Sequence, residues 1–202
     1  MSNAIFFNSY KLKKGASVPD FLLAFEKLIT EYASKQMGSI SFMLLSDGDT
    51  WADFGIFETM EDAKNFENPT ETNEFAEKFY SFLNFNSCRS RIFSVERSCQ
   101  HQSIAPTAVT FVSFKLKKGA SVPDFLLASD KLDSEGLSVN DATISRKLLV
   151  KDSSWADLIL WESMEGPKKV AESESTNDAI KEYLAFVGEV TFHQHFSVEQ
   201  SY

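Results

Sequence analysis

Two aspartates stand where carboxylates are rare. Asp53 sits in Trp51-Ala52-Asp53-Phe54 and Asp157 in Trp155-Ala156-Asp157-Leu158, each inside an apolar run. A carboxyl buried there has a raised pKa unless it is paired, and such an acid can act as a base in proton transfer; a structural ion pair is the other use of the same pattern. Both aspartates are expected on the sheet face sandwiched against a second sheet, and Lys11 and Lys115 are the candidate partners, because they lie on the strand expected beside each aspartate and alternate onto that same face. His193 and His195 are two apart, so on a strand their rings share one face, a spacing suited to proton transfer, to chelation or to an interface. A metal needs a third ligand; Glu199 on the same face and His101 are the only residues to hand, and no metal is assigned. Trp51 and Trp155 flank the aspartates as substrate platforms or as packing residues, the second being the ordinary role of a strand aromatic such as Trp161. Two cysteines, Cys88 and Cys99, are too few for a disulfide scaffold or a thiolate metal site. Arg89 and Arg91 alternate away from Cys88, which leaves no activated thiolate, and Cys99 reads as an exposed linker residue.

Several signatures are missing: a phosphate-binding glycine loop, zinc-type Cys or His spacing, a Gly-x-Ser-x-Gly elbow and a clustered basic motif. The formal net charge of −9, from 20 Lys+Arg against 29 Asp+Glu, sets the overall field against nucleic acid. No apolar run approaches the roughly 20 residues of a membrane span, and the first ten residues lack the basic start and apolar core of a signal peptide. The expectation is a cytoplasmic protein with neither nucleic acid nor membrane as partner. Composition, 43% hydrophobic and 24% charged over 202 residues, is that of a globular chain with one large or two small domains.

The elements that position these residues come in two copies. Tyr10–Ala24 (YKLKKGASVPDFLLA) recurs as Phe114–Ala128 (FKLKKGASVPDFLLA), an offset of 104 that persists through Trp51-Ala52-Asp53 and Glu58-Thr59-Met60-Glu61. Phe93-Ser94-Val95-Glu96 then matches Phe196-Ser197-Val198-Glu199, so the second copy has lost one residue, placed by this reading between Asn177 and Lys181. The domains read as 1–97 and 108–202, joined by the polar, aperiodic linker 98–107.

Within one copy, Ile5–Lys13 alternates as a strand that ends at Lys14-Gly15. Ser17 stands at a helix N-cap, with Pro19 and Asp20 in the first turn; Phe21, Phe25, Leu28 and Tyr32 form the apolar stripe and Gly38 stops the helix. Ile40–Leu45 and Trp51–Glu58 flank Asp47-Gly48-Asp49 as a hairpin. Thr59-Met60-Glu61-Asp62 resembles a capping box opening a second helix, interrupted at Asn68-Pro69 and resumed over Glu71–Leu83; a last strand covers Ser87–Arg97. The order β-α-β-β-α-β predicts an α+β, ferredoxin-like unit with helices on one sheet face. Strand three is apolar on both faces, so each unit needs a second sheet. The expected architecture is two units packed sheet to sheet as an intramolecular dimeric α/β barrel, a covalent pseudo-dimer whose further self-association the sequence leaves open.

Tyr10-Lys11-Leu12-Lys13-Lys14-Gly15 and Phe57-Glu58-Thr59-Met60-Glu61-Asp62-Ala63, with their counterparts at Phe114–Gly119 and Trp161–Gly166, resemble the dimeric α/β-barrel superfamily, most nearly the antibiotic biosynthesis monooxygenase-like (ABM-like) domains. The resemblance implies a pocket between sheet and helices that takes a small organic molecule, and cofactor-independent monooxygenase or isomerase chemistry. A non-catalytic binding or scaffold protein that keeps the barrel for assembly is the alternative. Asn8, seven residues before Gly15, matches the catalytic Asn of the haem-degrading branch and shares its strand face with Tyr10, a candidate substrate contact. The second copy has Val112 there. The branch's helix-two Trp falls near Glu67 and Ala171 and its iron-binding His near Glu77, so no haem or other cofactor is expected.

Overall fold

The computed structural model describes residues 2–67 and 73–202; the predicted break at Asn68-Pro69 lies outside them. The chain is α+β and divides into two compact units, Met1–Ser94 with Val198–Tyr202, and Val95–Ser197.

The first unit contains β1 (Ala4–Leu12), α1 (Val18–Glu31), β2 (Ser39–Asp47), β3 (Thr50–Phe57), α2 (Met60–Glu67), α3 (Glu74–Tyr80) and the start of β4 (Leu83–Gln100). All its strand pairs are antiparallel, in the order β2-β3-β1-β4. Ser17 caps α1 by accepting from Asp20 N, and Thr59 Oγ1 accepts from Asp62 N at the entrance to α2, as the capping pattern predicts. Gly48, at φ 60°, makes the β2–β3 turn. The helices bury Phe21, Phe25, Leu28 and Phe79 against Tyr10, Trp51 and Phe57 of the sheet. The opposite sheet face, carrying Ile5, Phe7, Ala52 and Phe54, is buried too.

The second unit repeats this with β5 (Ala108–Leu116), α4 (Val122–Lys131), β6 (Thr143–Lys151), β7 (Ser154–Trp161), α5 (Glu165–Ser173), α6 (Asp178–Phe186) and β8 (Val187–Ser201), in the order β6-β7-β5-β8. Where α1 ends in a single 3₁₀ turn, α4 widens into a π-helical stretch, Leu132–Leu137. Asp133, within that stretch, is buried, as Ile29 is at the matching position of α1.

Three details depart from the sequence reading. The last strand of the first copy begins at Leu83 rather than Ser87, and it continues to Gln100 within the stretch read as linker. The lost residue does not fall between Asn177 and Lys181: Asn73 and Asn177 cap equivalent helices, and Leu12 pairs with Leu83 as Leu116 does with Val187, all at the offset of 104. The offset has become 103 where Phe6 pairs with Ile92 and Thr110 with His195, so the deletion lies in the irregular start of the last strand. A bulge absorbs one residue more cheaply than a helix, whose apolar face would rotate. Among the described residues no helix is long and apolar enough to cross a membrane.

Candidate functional site

Asp53 and Asp157 face the helices, not the opposite sheet face expected for them. The register explains the correction: Asp53 pairs directly with Asn8 and Asp157 with Val112, and side chains opposite one another across a strand pair share a face. Lys11 and Lys115 therefore belong to the other face and are not the partners of the aspartates. Lys11 bonds Asp49 at 2.6 Å and Lys115 bonds Glu189 at 3.0 Å, both exposed pairs.

In the first unit Asp53 meets two neutral polar groups. Asn8 Nδ2 donates to Asp53 Oδ2 over a long 3.5 Å. The Tyr10 hydroxyl lies close enough to feel the carboxylate yet makes no hydrogen bond of proper geometry, and Asn8 Oδ1 is likewise buried without one. Burial pushes the Asp53 carboxyl up to about 7, and Tyr10 and Asn8 offset this only in part. Burial, then the Asp53 charge, carries Tyr10 well above its usual value. The trio is a carboxyl able to exchange a proton near neutral pH beside an amide and a phenol. Trp51 packs edge-on against Phe21, centroids 4.9 Å apart, as a core residue.

The second unit answers the same position with charge. Asp157 Oδ1 accepts from Arg146 Nε at 2.8 Å, and Oδ2 accepts from the Tyr183 hydroxyl at 2.7 Å. Arg146 is wholly buried; its Nη1 donates to Ser129 Oγ at 2.9 Å and Asp133 Oδ2 at 3.1 Å, and its guanidinium lies over the Tyr183 ring. Burial alone would lower the Arg146 pKa; the charge of Asp157, then Tyr183 and Asp133, outweighs it and leaves the group raised. Burial raises Asp133 against the pull of Arg146. Arg146, Ser129, Asp133 and Tyr183 were missed in the sequence reading, although the repeat carries the signal. At the offset of 104 they replace Phe42, Phe25, Ile29 and Phe79, apolar core positions of the first copy. A tyrosine and a phenylalanine have changed places: Tyr10 and Phe79 in one unit, Phe114 and Tyr183 in the other. Each unit thus keeps one phenol near its aspartate.

A cavity of about 260 Å³ opens beside this network. Its walls are mostly apolar, including Leu132, Leu137, Ile159 and Val170, and its polar groups are Thr110, Asp157, Glu174, Tyr183, His193 and His195. Trp161 Nε1 donates to Thr110 Oγ1 at 2.8 Å, and Thr110 Oγ1 lies 2.7 Å from His195 Nδ1, which fixes that ring; the His193 ring stands edge to it, centroids 4.8 Å apart. Ala171, exposed on α5, stands at the rim. The structure thus brings Asp157, His193 and His195 to one cavity, and Asn8, Tyr10 and Asp53 together in the other unit. Trp155 joins neither set and packs against Phe125. Cys88 and Cys99 are both partly buried, contrary to the exposed position expected for Cys99, and burial raises both thiols.

No family model and no curated protein sequence matches the chain. Its fold is that of ABM-like proteins. It is similar to the crystal structure of a proposed monooxygenase from Fusobacterium nucleatum subsp. nucleatum, with 10% identity, TM-score 0.72, and 99% of this chain and 94% of that one covered. A ferredoxin-fold protein related to antibiotic biosynthesis monooxygenases from Listeria monocytogenes matches at 12% identity and TM-score 0.56, covering 98% of this chain and 95% of that one. A heme-degrading enzyme of Listeria monocytogenes matches at 12% identity and TM-score 0.53, covering 96% of this chain and 98% of that one. At such identities the likeness concerns fold alone.

Proposed function

We propose that the second unit binds a small, largely apolar organic molecule in the cavity beside Asp157. The supporting observation is the cavity itself: apolar walls with a few converging polar groups are the usual make-up of a ligand site. About 260 Å³ lies just under the range typical of drug-sized ligands, roughly 300–1,000 Å³, and suits a molecule of one or two rings. Thr110 and Leu132 would contact its body, while Tyr183, His193 and His195 would read its polar edge.

The enzymatic part of the proposal is cofactor-independent monooxygenase or isomerase chemistry, with Asp53, Asn8 and Tyr10 as the proton-handling group of the first unit. Its support is a carboxyl near pKa 7 beside two under-bonded polar atoms, together with the kinds of protein that share the fold. A second reading, binding without catalysis, is favoured for the second unit by one observation: both oxygens of Asp157 are already engaged, by Arg146 and Tyr183. The two units are read as an intramolecular counterpart of a dimeric α/β barrel. What supports this is the duplication, the buried second sheet face, and the inclusion of Val198–Tyr202 in the first unit.

A thermal-shift screen with one- and two-ring aromatic ketones, phenols and short-chain acids tests the binding reading. A ligand present at about 100 times its dissociation constant stabilises the protein by about 2.7 kcal/mol. Ala171→Trp, which fills the rim, is expected to abolish the shift. Absence of any shift, or a shift indifferent to Ala171→Trp, contradicts it.

A further inference from the structure

We propose that Cys99, His101 and Asp133 form a binding site for a divalent transition-metal ion of the zinc class. One donor atom from each residue lies within 4.8 Å of the other two. A tetrahedral ion with bonds of about 2.0–2.3 Å holds its ligands about 3.3–3.8 Å apart, so closure needs rotamer adjustments of about 1 Å. Two of these residues each have a buried side-chain atom without a hydrogen-bond partner, His101 Nε2 and Asp133 Oδ1. Orphaned buried polar atoms are costly and uncommon, and two of them converging beside a sulfur is what a cation would satisfy.

Charge points the same way. Arg146 supplies one buried positive charge to two carboxylates, Asp157 and Asp133, and the oxygen of Asp133 turned from Arg146 is the uncompensated one. The mixed sulfur, nitrogen and oxygen set disfavours magnesium and calcium and suits a borderline ion. Three protein ligands leave one coordination position for water.

The local fold prepares the arrangement. Cys99, near the end of β4, and His101 just beyond it are two apart, and the backbone N–H groups of His101 and Gln102 both bond Ile144 O, at 2.8 and 3.1 Å. Asp133 comes from the π-helical stretch. The scaffold does not require these groups, because the first unit builds the equivalent corner from Phe25, Ile29, Phe42 and Tyr202, with Phe25 and Tyr202 in ring contact. An ion there would tie the end of β4 to the π-helical turn and hold Asp133 behind Arg146, the residue that orients Asp157 in the cavity wall.

The test is titration of the full chain with Co²⁺ under reducing conditions, read by absorption. The expected result is saturation at one equivalent, with a thiolate-to-cobalt charge-transfer band and the visible bands of four-coordinate cobalt. Cys99→Ser should remove the charge-transfer band and His101→Ala should weaken binding at least tenfold. Cys88→Ser, and the double variant His193→Ala with His195→Ala, should leave both unchanged. X-ray absorption on the cobalt-loaded wild type, which requires no variant to fold, should find one sulfur among nitrogen and oxygen donors. A cobalt shell without sulfur, a band surviving Cys99→Ser, or a band lost with Cys88 or the histidine pair overturns the proposal.

Discussion

Replacing Asp53 by Asn should stabilise the protein above neutral pH. Burial lifts this carboxyl from its ordinary 3.8 to about 7, so between those values the folded protein holds a proton that the unfolded chain has released. The stability contributed by the group is complete below pH 3.8, declines as pH rises and is gone above about 7. An interval of about three pH units, at about 1.36 kcal/mol each, corresponds to about 4 kcal/mol. Asp53 keeps partial contact with solvent, and the resulting screening brings the expected effect to about 2–4 kcal/mol. Asn has the same shape and cannot ionise. Urea unfolding of both proteins at intervals from about pH 4 to pH 8 reads the effect directly. The difference in unfolding free energy, Asp53→Asn minus wild type, should sit near zero at the acid end and grow by about 2–4 kcal/mol by pH 8. A flat difference, or a variant less stable than wild type at pH 8, would refute the assignment of Asp53 as a destabilising buried acid. The expected outcome also bears on function, since a carboxyl retained at a stability cost is what an active group looks like.

Arg146→Met should lower stability by about 3–5 kcal/mol at neutral pH, because it leaves Asp157 buried without a countercharge; denaturant unfolding checks this, and a loss under about 1 kcal/mol would contradict the dependence of Asp157 on the Arg146 charge. Tyr183→Phe should cost about 1–3 kcal/mol through the lost bond to Asp157, while Tyr10→Phe, whose hydroxyl makes no bond of proper geometry, should cost less; paired unfolding curves would expose the reverse order.

The order of elements, both helix caps and the β2–β3 turn were legible because each depends on neighbours close in sequence: Ser17 on Asp20, Thr59 on Asp62, Gly48 on its own backbone angle. Asn8 and Tyr10 could be placed on the helix side because they alternate with Lys11 on a single strand. The face of Asp53 could not be fixed in that way. It depends on the register between β1 and β3, where one residue of slip exchanges Asn8 for a neighbour on the opposite face. Arg146 was legible in principle, since comparing the copies sets it against Phe42 in a core strand, and no residue near it in sequence announces its partners. The approach of Cys99 and His101 to Asp133 is less accessible still, because it joins one copy's tail to the other's π-helical turn, a local widening no periodicity announces.

The most direct test of ligand binding in the second unit is saturation-transfer NMR on the wild-type chain with a mixture of one- and two-ring aromatic ketones and phenols. Transfer to at least one compound is expected, lost in Ala171→Trp and retained in Asp53→Asn, which alters only the other unit. No transfer to any compound, or equal transfer to wild type and Ala171→Trp, would contradict it.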